Sequence, residues 1–263
     1  MTLLLLGFPI VATLLLLSAF PRIKNSTLTG PWYWLLAAWW ILPLGYWAGG
    51  WMMGGRASLE WAASTILFCP GVALMGAKRP QHRGWFFVVL SLWCLLTLPA
   101  LLPLHTGLAR LSSWLFMLFL GVLLAVPAIN FLPTRHWFAA CLVLVGHMLF
   151  WGPRVGFAVF GSLYLALFCW LIALACAVLR KPRGGGKREI DRRWLDFRDA
   201  FGALWALRAA ETVNALAAMK KWDARLGWDG LTREDGSSLE DLPPELETAL
   251  GQALHNVLRR FVA

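Results

Sequence analysis

Negative charge is almost missing from the first two-thirds of the chain. Glu60 is the one acid among residues 1–179, against nine lysines and arginines. Charged residues make up 14% of the sequence, where ordinary globular domains carry about 25%. A water-soluble domain needs a charged shell, so this scarcity argues against one. Clustered thiols are missing too. Cys69, Cys94, Cys141, Cys169 and Cys176 all fall inside apolar runs and none forms a CxxC pair. Neither a disulfide framework nor a zinc site is expected, and the thiols read as small buried apolar groups.

Three motif-level absences narrow the field further. The opening stretch MTLLLLGFPIVATLLLLSAF has no basic residue before its apolar core; Arg22 and Lys24 follow it, and no clear A-x-A site does. It reads as a retained first span rather than a signal peptide. GGGK (184–187) is followed by Arg188 and lacks the spacing of a phosphate loop. Asp223, Asp229 and Asp235 do not have EF-hand spacing. No metal and no cofactor are expected.

What is present is oil. Apolar residues make up 59% of the chain. They gather in seven runs, 3–20, 32–51, 58–77, 84–104, 112–132, 136–151 and 155–179, near the roughly 17–25 residues a helix needs to cross hydrocarbon. The expected fold is an all-α membrane protein, a bundle of about seven transmembrane helices, or six if the first is cleaved. Pro43, Pro70, Pro99, Pro103 and Pro127 should kink or end helices, since each removes a backbone donor. Tryptophans near the run ends, including Trp32, Trp34, Trp61, Trp85, Trp137 and Trp151, read as an interfacial belt. The cluster WYWLLAAWW (32–40) could instead hold a flat cofactor or a partner helix.

Charge placement orients the chain. With the N-terminus outside, the cytoplasmic connections hold eleven lysines and arginines and the opposite ones hold Arg56, Arg110 and Arg154. The positive-inside rule favours that arrangement, in the cell (plasma or inner) membrane with the C-terminus cytoplasmic. Eight units of the net charge of +10 lie in residues 1–179 (nine bases less one acid). Such cations meet lipid headgroups, and no nucleic-acid partner is implied.

The division expected is a membrane domain (1–179), a basic glycine-rich hinge (180–188) and a cytoplasmic tail (189–263). Residues 180–263, hinge and tail together, hold thirteen acids and fifteen bases. Ile190, Trp194, Phe197, Phe201, Leu204 and Trp205 recur at helical spacing and predict an amphipathic helix over about 189–222, broken near Gly202. Asp191, Arg192, Asp196, Arg198 and Asp199 are expected mostly on its other faces, and Arg208 and Glu211 could pair. Residues 221–238 read as turns and short extended pieces. A second helix over 242–261 has Pro244 in its first turn and an apolar face of Leu246, Leu250, Leu254, Val257 and Phe261. Both apolar faces need cover: each other, the membrane surface or a partner protein. Near-balanced charge favours the first or last.

An ionisable group in lipid is costly enough to need a reason, and CLVLVGHMLFW (141–151) holds His147. In the outward orientation His147, His105, Glu60, Arg56, Arg110 and Arg154 collect at the outer level. His147, Glu60 and His105 are the candidate catalytic residues. The alternative for His147 is a simple hydrogen bond to a carbonyl or hydroxyl. FCPG (68–71) followed by GHMLF (146–150) resembles the wax-synthase branch of membrane-bound O-acyltransferases over nine residues. That resemblance implies His147 as a catalytic base. The chain is shorter than those enzymes, and Asn130 stands at a spacing that does not match them.

Three functions follow. The first is a non-enzymatic membrane subunit or scaffold with a protein-binding tail. The second is a small membrane enzyme acting on a lipid or acyl substrate through His147. The third is a transporter.

Overall fold

Uncharged apolar runs can satisfy their backbone in lipid or in a core only by closing it on itself, so helix is the expected outcome. A computed structural model describes residues 2–49, 56–101, 109–155, 162–180, 188–233 and 243–262. It is 84% helical, an all-α chain with one small hairpin. The elements run α1 (Thr2–Ile23), α2 (Thr29–Gly49), α3 (Arg56–Thr65), α4 (Cys69–Met75), α5 (His82–Leu101), α6 (Ala109–Phe131), α7 (Trp137–Trp151) and α8 (Ser162–Leu179). Then come α9 (Glu189–Met219), β1 (Arg225–Gly227), β2 (Gly230–Thr232) and α10 (Pro244–Leu258). Among the described residues three segments are long and apolar enough to cross a membrane: Leu5–Ile23, Ser58–Met75 and Ser162–Leu179.

The chain forms two compact units. The first holds residues 1–129 and 138–179; the second holds 130–137 and 180–262. Most of the basic hinge, 181–187, lies outside the described residues.

In the first unit α1 packs on α2 and α8, α2 on α3 and α4, and both of these on α5. The run 58–77 is not one helix. A 3-10 turn, Ile66–Phe68, separates α3 from α4, and Pro70 sits in the first turn of α4. Proline lacks the N–H a continuous helix would need there and suits a helix start. Pro43 and Pro127 instead lie inside α2 and α6.

The tryptophans correct the belt expectation. Trp32, Trp34 and Trp151 are buried, and several indoles donate across helices. Trp32 Nε1 reaches the Leu16 carbonyl at 3.1 Å, Trp61 that of Leu96 at 3.0 Å, and Trp85 that of Val72 at 2.8 Å. Trp93 reaches the Ala62 carbonyl at 3.2 Å. The Val72 and Ala62 carbonyls lie beside the ends and breaks of α3 and α4, where helix bonding is incomplete. A large ring with one donor suits such a site. Among the described residues Trp137, half-exposed, is the expected belt residue that does face outward; Trp51 and the Trp114 side chain, expected in the same belt, lie outside them.

In the second unit α9 bends at Gly202, whose φ of 80° and ψ of −176° are non-helical. The bend falls where the broken stripe placed it. β1 and β2 pair antiparallel, Leu226 opposite Leu231. The apolar faces of α9 and α10 cover each other. The Phe261 ring lies 4.8 Å from Phe197, 4.9 Å from Phe201 and 5.5 Å from Trp205. Leu250 and Leu254 are buried with them.

Candidate functional site

His147 lies on α7 and is 5% exposed. Helical spacing puts its Nδ1 2.8 Å from the Val143 carbonyl one turn back. From α8, Trp170 Nε1 comes within 3.2 Å of the same Nδ1 and 3.4 Å of the Val143 oxygen. A neutral imidazole has one ring proton, so these contacts compete. With the proton on Nδ1, histidine donates to Val143 and the indole turns to that same carbonyl. With the proton on Nε2, Nδ1 accepts from the indole. Among the described residues Nε2 makes no well-formed hydrogen bond. Phe68 packs on the ring at 5.7 Å and Trp170 at 5.1 Å between centroids. Trp170 comes this close because residue 146 is glycine; a Cβ there would lie 2.5 Å from its Nε1.

The other site candidates fare differently. Glu60 is half-buried on α3. Its neighbour Trp61 rests edge-on against Trp151, ring centres 5.4 Å apart, so residue 60 lies near the end of α7 that follows His147. His105 lies outside the described residues, as do the side chains of Arg56, Arg110 and Arg154. Among the described residues no three His, Cys, Asp or Glu side chains gather as a metal site.

The densest polar cluster lies in the second unit, where residue patterning did not place it. Arg198 and Asp199 are 2% and 1% exposed, and Asp191 is buried as well. They do not sit on a solvated face, because the hairpin and residues 130–137 cover that side of α9. Asp199 Oδ1 accepts from Arg198 at 3.0 Å, and its Oδ2 lies 3.3 Å from Arg135 Nε. Arg198 also donates to the Trp228 carbonyl at 2.8 Å and stacks over the Trp228 ring. Trp228 Nε1 in turn reaches the Pro133 carbonyl at 3.2 Å. Asp191 Oδ1 accepts the Leu231 N–H at 2.8 Å and so holds the hairpin. Arg208 lies over the Trp205 ring, and among the described residues no ion pair joins it to Glu211.

Asn130 closes the bend in α9. Its Oδ1 accepts the Leu204 N–H at 2.7 Å and its Nδ2 donates to the Phe201 carbonyl at 3.1 Å. One carboxamide thus replaces the helix bonds lost at Gly202. An asparagine ending an apolar run and a glycine interrupting an amphipathic stripe were both visible in the sequence; their pairing across seventy-odd residues was not.

No family model, curated protein or solved structure matches the chain. The nine-residue likeness to the wax synthases therefore stands without support.

His136 belongs to the same cluster. Helix α7 begins only at Trp137, which leaves His136 in the connection. Burial, and then the Arg135 guanidinium, push its pKa down to about 4, with Asp199 opposing and Arg180 adding to the effect. Arg135 Nε lies 3.3 Å from its Nε2. Arg180 donates to the Arg135 carbonyl and ties the start of the tail to this connection. The arrangement holds four chain segments together, and its groups are spent on one another.

Proposed function

We propose that the chain is a non-enzymatic subunit or scaffold of the cell membrane, crossing it seven times with the N-terminus outside, and that its C-terminal unit binds a protein on the cytoplasmic side. The observation that carries this reading is the outward-facing oil of the first unit. Leu14 of α1, Phe87 of α5, Leu118 of α6, Met148 of α7 and Phe168 of α8 are all exposed. Such surfaces are costly in water and cost nothing in hydrocarbon. Together with α2, α5, α6 and α7, the three long apolar segments make seven spans. The shortest, α7, has 15 residues, about 22 Å of helix, and needs a locally thin bilayer or the following 3-10 turn to cross.

Two contacts support the orientation. Arg22 donates to the Val178 carbonyl at 2.8 Å, and Thr27 to that of Ala77 at 2.7 Å. They gather the connections after α1 and α4 and the end of α8 at one end of the first unit. Those are the places where the basic residues lie.

The enclosure of His147 supports a non-enzymatic role, since a general base must reach the proton it takes. The apolar faces of α9 and α10 are spent on each other, and among the described residues Leu207 (61% exposed) and Met219 (71% exposed) are the most exposed oil this unit offers to a partner. The test is purification of the full chain in mild detergent beside Leu207→Glu and Met219→Glu. A stoichiometric protein retained by the parent and lost from the variants is expected. A measurable activity abolished by His147→Ala at unchanged expression would sink the scaffold reading.

A transporter is the second reading. The break at Ile66–Phe68 follows buried Ser64 and Thr65, and Phe68 lies against His147. Broken spans near mid-depth recur at transport sites. Proton flux in proteoliposomes that His147→Gln removes would favour this reading over the first.

A further inference from the structure

A cleft of about 140 Å³ opens between the start of α2, the end of α4 and the start of α5. Trp34, Trp85 and Val89 line it with apolar surface, and the exposed rings of Tyr33 and Phe86 line it as well. Thr27, Thr29 and His82 supply polar groups. His82 Nδ1 is enclosed and has no hydrogen-bond partner among the described residues. The His82 N–H bonds to the Lys78 carbonyl at 3.0 Å, which turns the basic run 78–83 beside His82, its one residue that lines the cleft. Arg79 and Arg83 are exposed, and both guanidinium charges act on the His82 ring.

Nothing in the same unit balances these cations. Its one acid is Glu60, whose neighbour Trp61 bonds to the Leu96 carbonyl of α5. Arg83 stands about 20 Å back along that helix, against a Debye length of about 8 Å at physiological salt.

We propose that this cleft holds the headgroup of an anionic phospholipid, with its phosphate at the rim against Arg79 and Arg83 and its first acyl carbons against Tyr33 and Phe86. This inference rests on the membrane reading above. Basic pockets between spanning helices on the cytoplasmic side suit anionic headgroups. The aromatic lining selects a lipid over free phosphate, which has no apolar part to bury.

Native mass spectrometry of the full chain, offered equal phosphatidylglycerol and phosphatidylcholine in mild detergent, tests the inference. The parent should retain one phosphatidylglycerol in preference. Arg79→Gln/Arg83→Gln should lower that retention about tenfold or more, the scale expected of two interfacial cations. Gly30→Trp should lower it as well while keeping every charge. Gly30 lines the cleft, and a Cβ there meets nothing within 4 Å. Gly30→Ala, which leaves the cleft open, and Lys24→Gln, an exposed cation outside the 78–83 run, should retain lipid like the parent.

Equal retention by all the variants would overturn the inference. So would parallel loss from Lys24→Gln, or displacement of the lipid by inorganic phosphate. A chain monodisperse without any amphiphile would overturn the membrane reading itself. A chain that needs detergent yet discriminates no lipid overturns this inference alone.

Discussion

At Gly202 one hydrogen atom decides the shape of the C-terminal unit. Its φ of 80° is open to glycine and strained for other residues. A Cβ would also lie 2.1 Å from Asn130 Nδ2. Gly202→Ala is therefore expected to destabilise the second unit by about 2–4 kcal/mol, from backbone strain plus a clash. Thermal unfolding followed by tryptophan fluorescence checks this; an unchanged midpoint would mean that the bend does not depend on the glycine. Asp199 answers to a different cost. Removing its carboxylate by Asp199→Leu leaves buried Arg198 with the exposed Asp229, 3.4 Å away, as its remaining acid, a loss of about 3 kcal/mol. Arg198→Met/Asp199→Leu removes both charges and should be less destabilising than the single change. A double variant worse than the single one would show that Arg198 is held chiefly by its bonds to Trp228.

At the scale of elements, the end of α6 and its connection to α7 behave as part of the tail's fold. They supply Asn130 to the bend, the Pro133 carbonyl to Trp228, and Arg135 to Asp199. His136 makes this connection sensitive to pH. Its folded pKa, about 4, lies below the ordinary 6.5. Above 6.5 both folded and unfolded forms are neutral and stability does not depend on this group. As pH falls from 6.5 to 4 the unfolded chain takes the proton first, so stability declines through that window and the loss is complete below 4. The unfolding midpoint of the second unit should drop across this range in the parent and drop less in His136→Gln. The groups acting on His136 are Arg135, Asp199 and Arg180, so the comparison holds them constant. An equal drop in both proteins would assign the effect to the carboxylates instead.

For the whole molecule, the proposed seven-span arrangement predicts which connections share a side of the membrane. In a chain with its five native cysteines replaced, Gln81→Cys and Ser238→Cys should be labelled by an impermeant maleimide only after the cytoplasmic face is opened. Thr106→Cys should react from outside in intact cells. Labelling of positions 81 and 238 from opposite sides would end the seven-span arrangement. At this scale the order of helices was legible, because uncharged apolar runs and basic connections alternate along the chain. The interruption of the third run was legible in part: Pro70 announced a discontinuity, and the 3-10 turn before it is how the backbone resolves it. The inward turn of Trp32, Trp61 and Trp85 was not legible, because an indole near a helix end has the same sequence signature whether it faces lipid or a neighbouring carbonyl.

The sequence by itself determined helix as the building element, the change of character near residue 180, the bend at Gly202 and the start of the last helix at Pro244. Each of these follows from local chemistry: absent charge, clustered cations, a missing Cβ, a missing N–H. Only the tertiary structure decided what the polar residues do. It enclosed His147 between Val143 and Trp170, set Asn130 into the backbone of α9, and buried Arg198 with Asp199 under the hairpin. A side chain's partner is fixed by distance in space, and residues seventy positions apart leave no periodic trace of meeting.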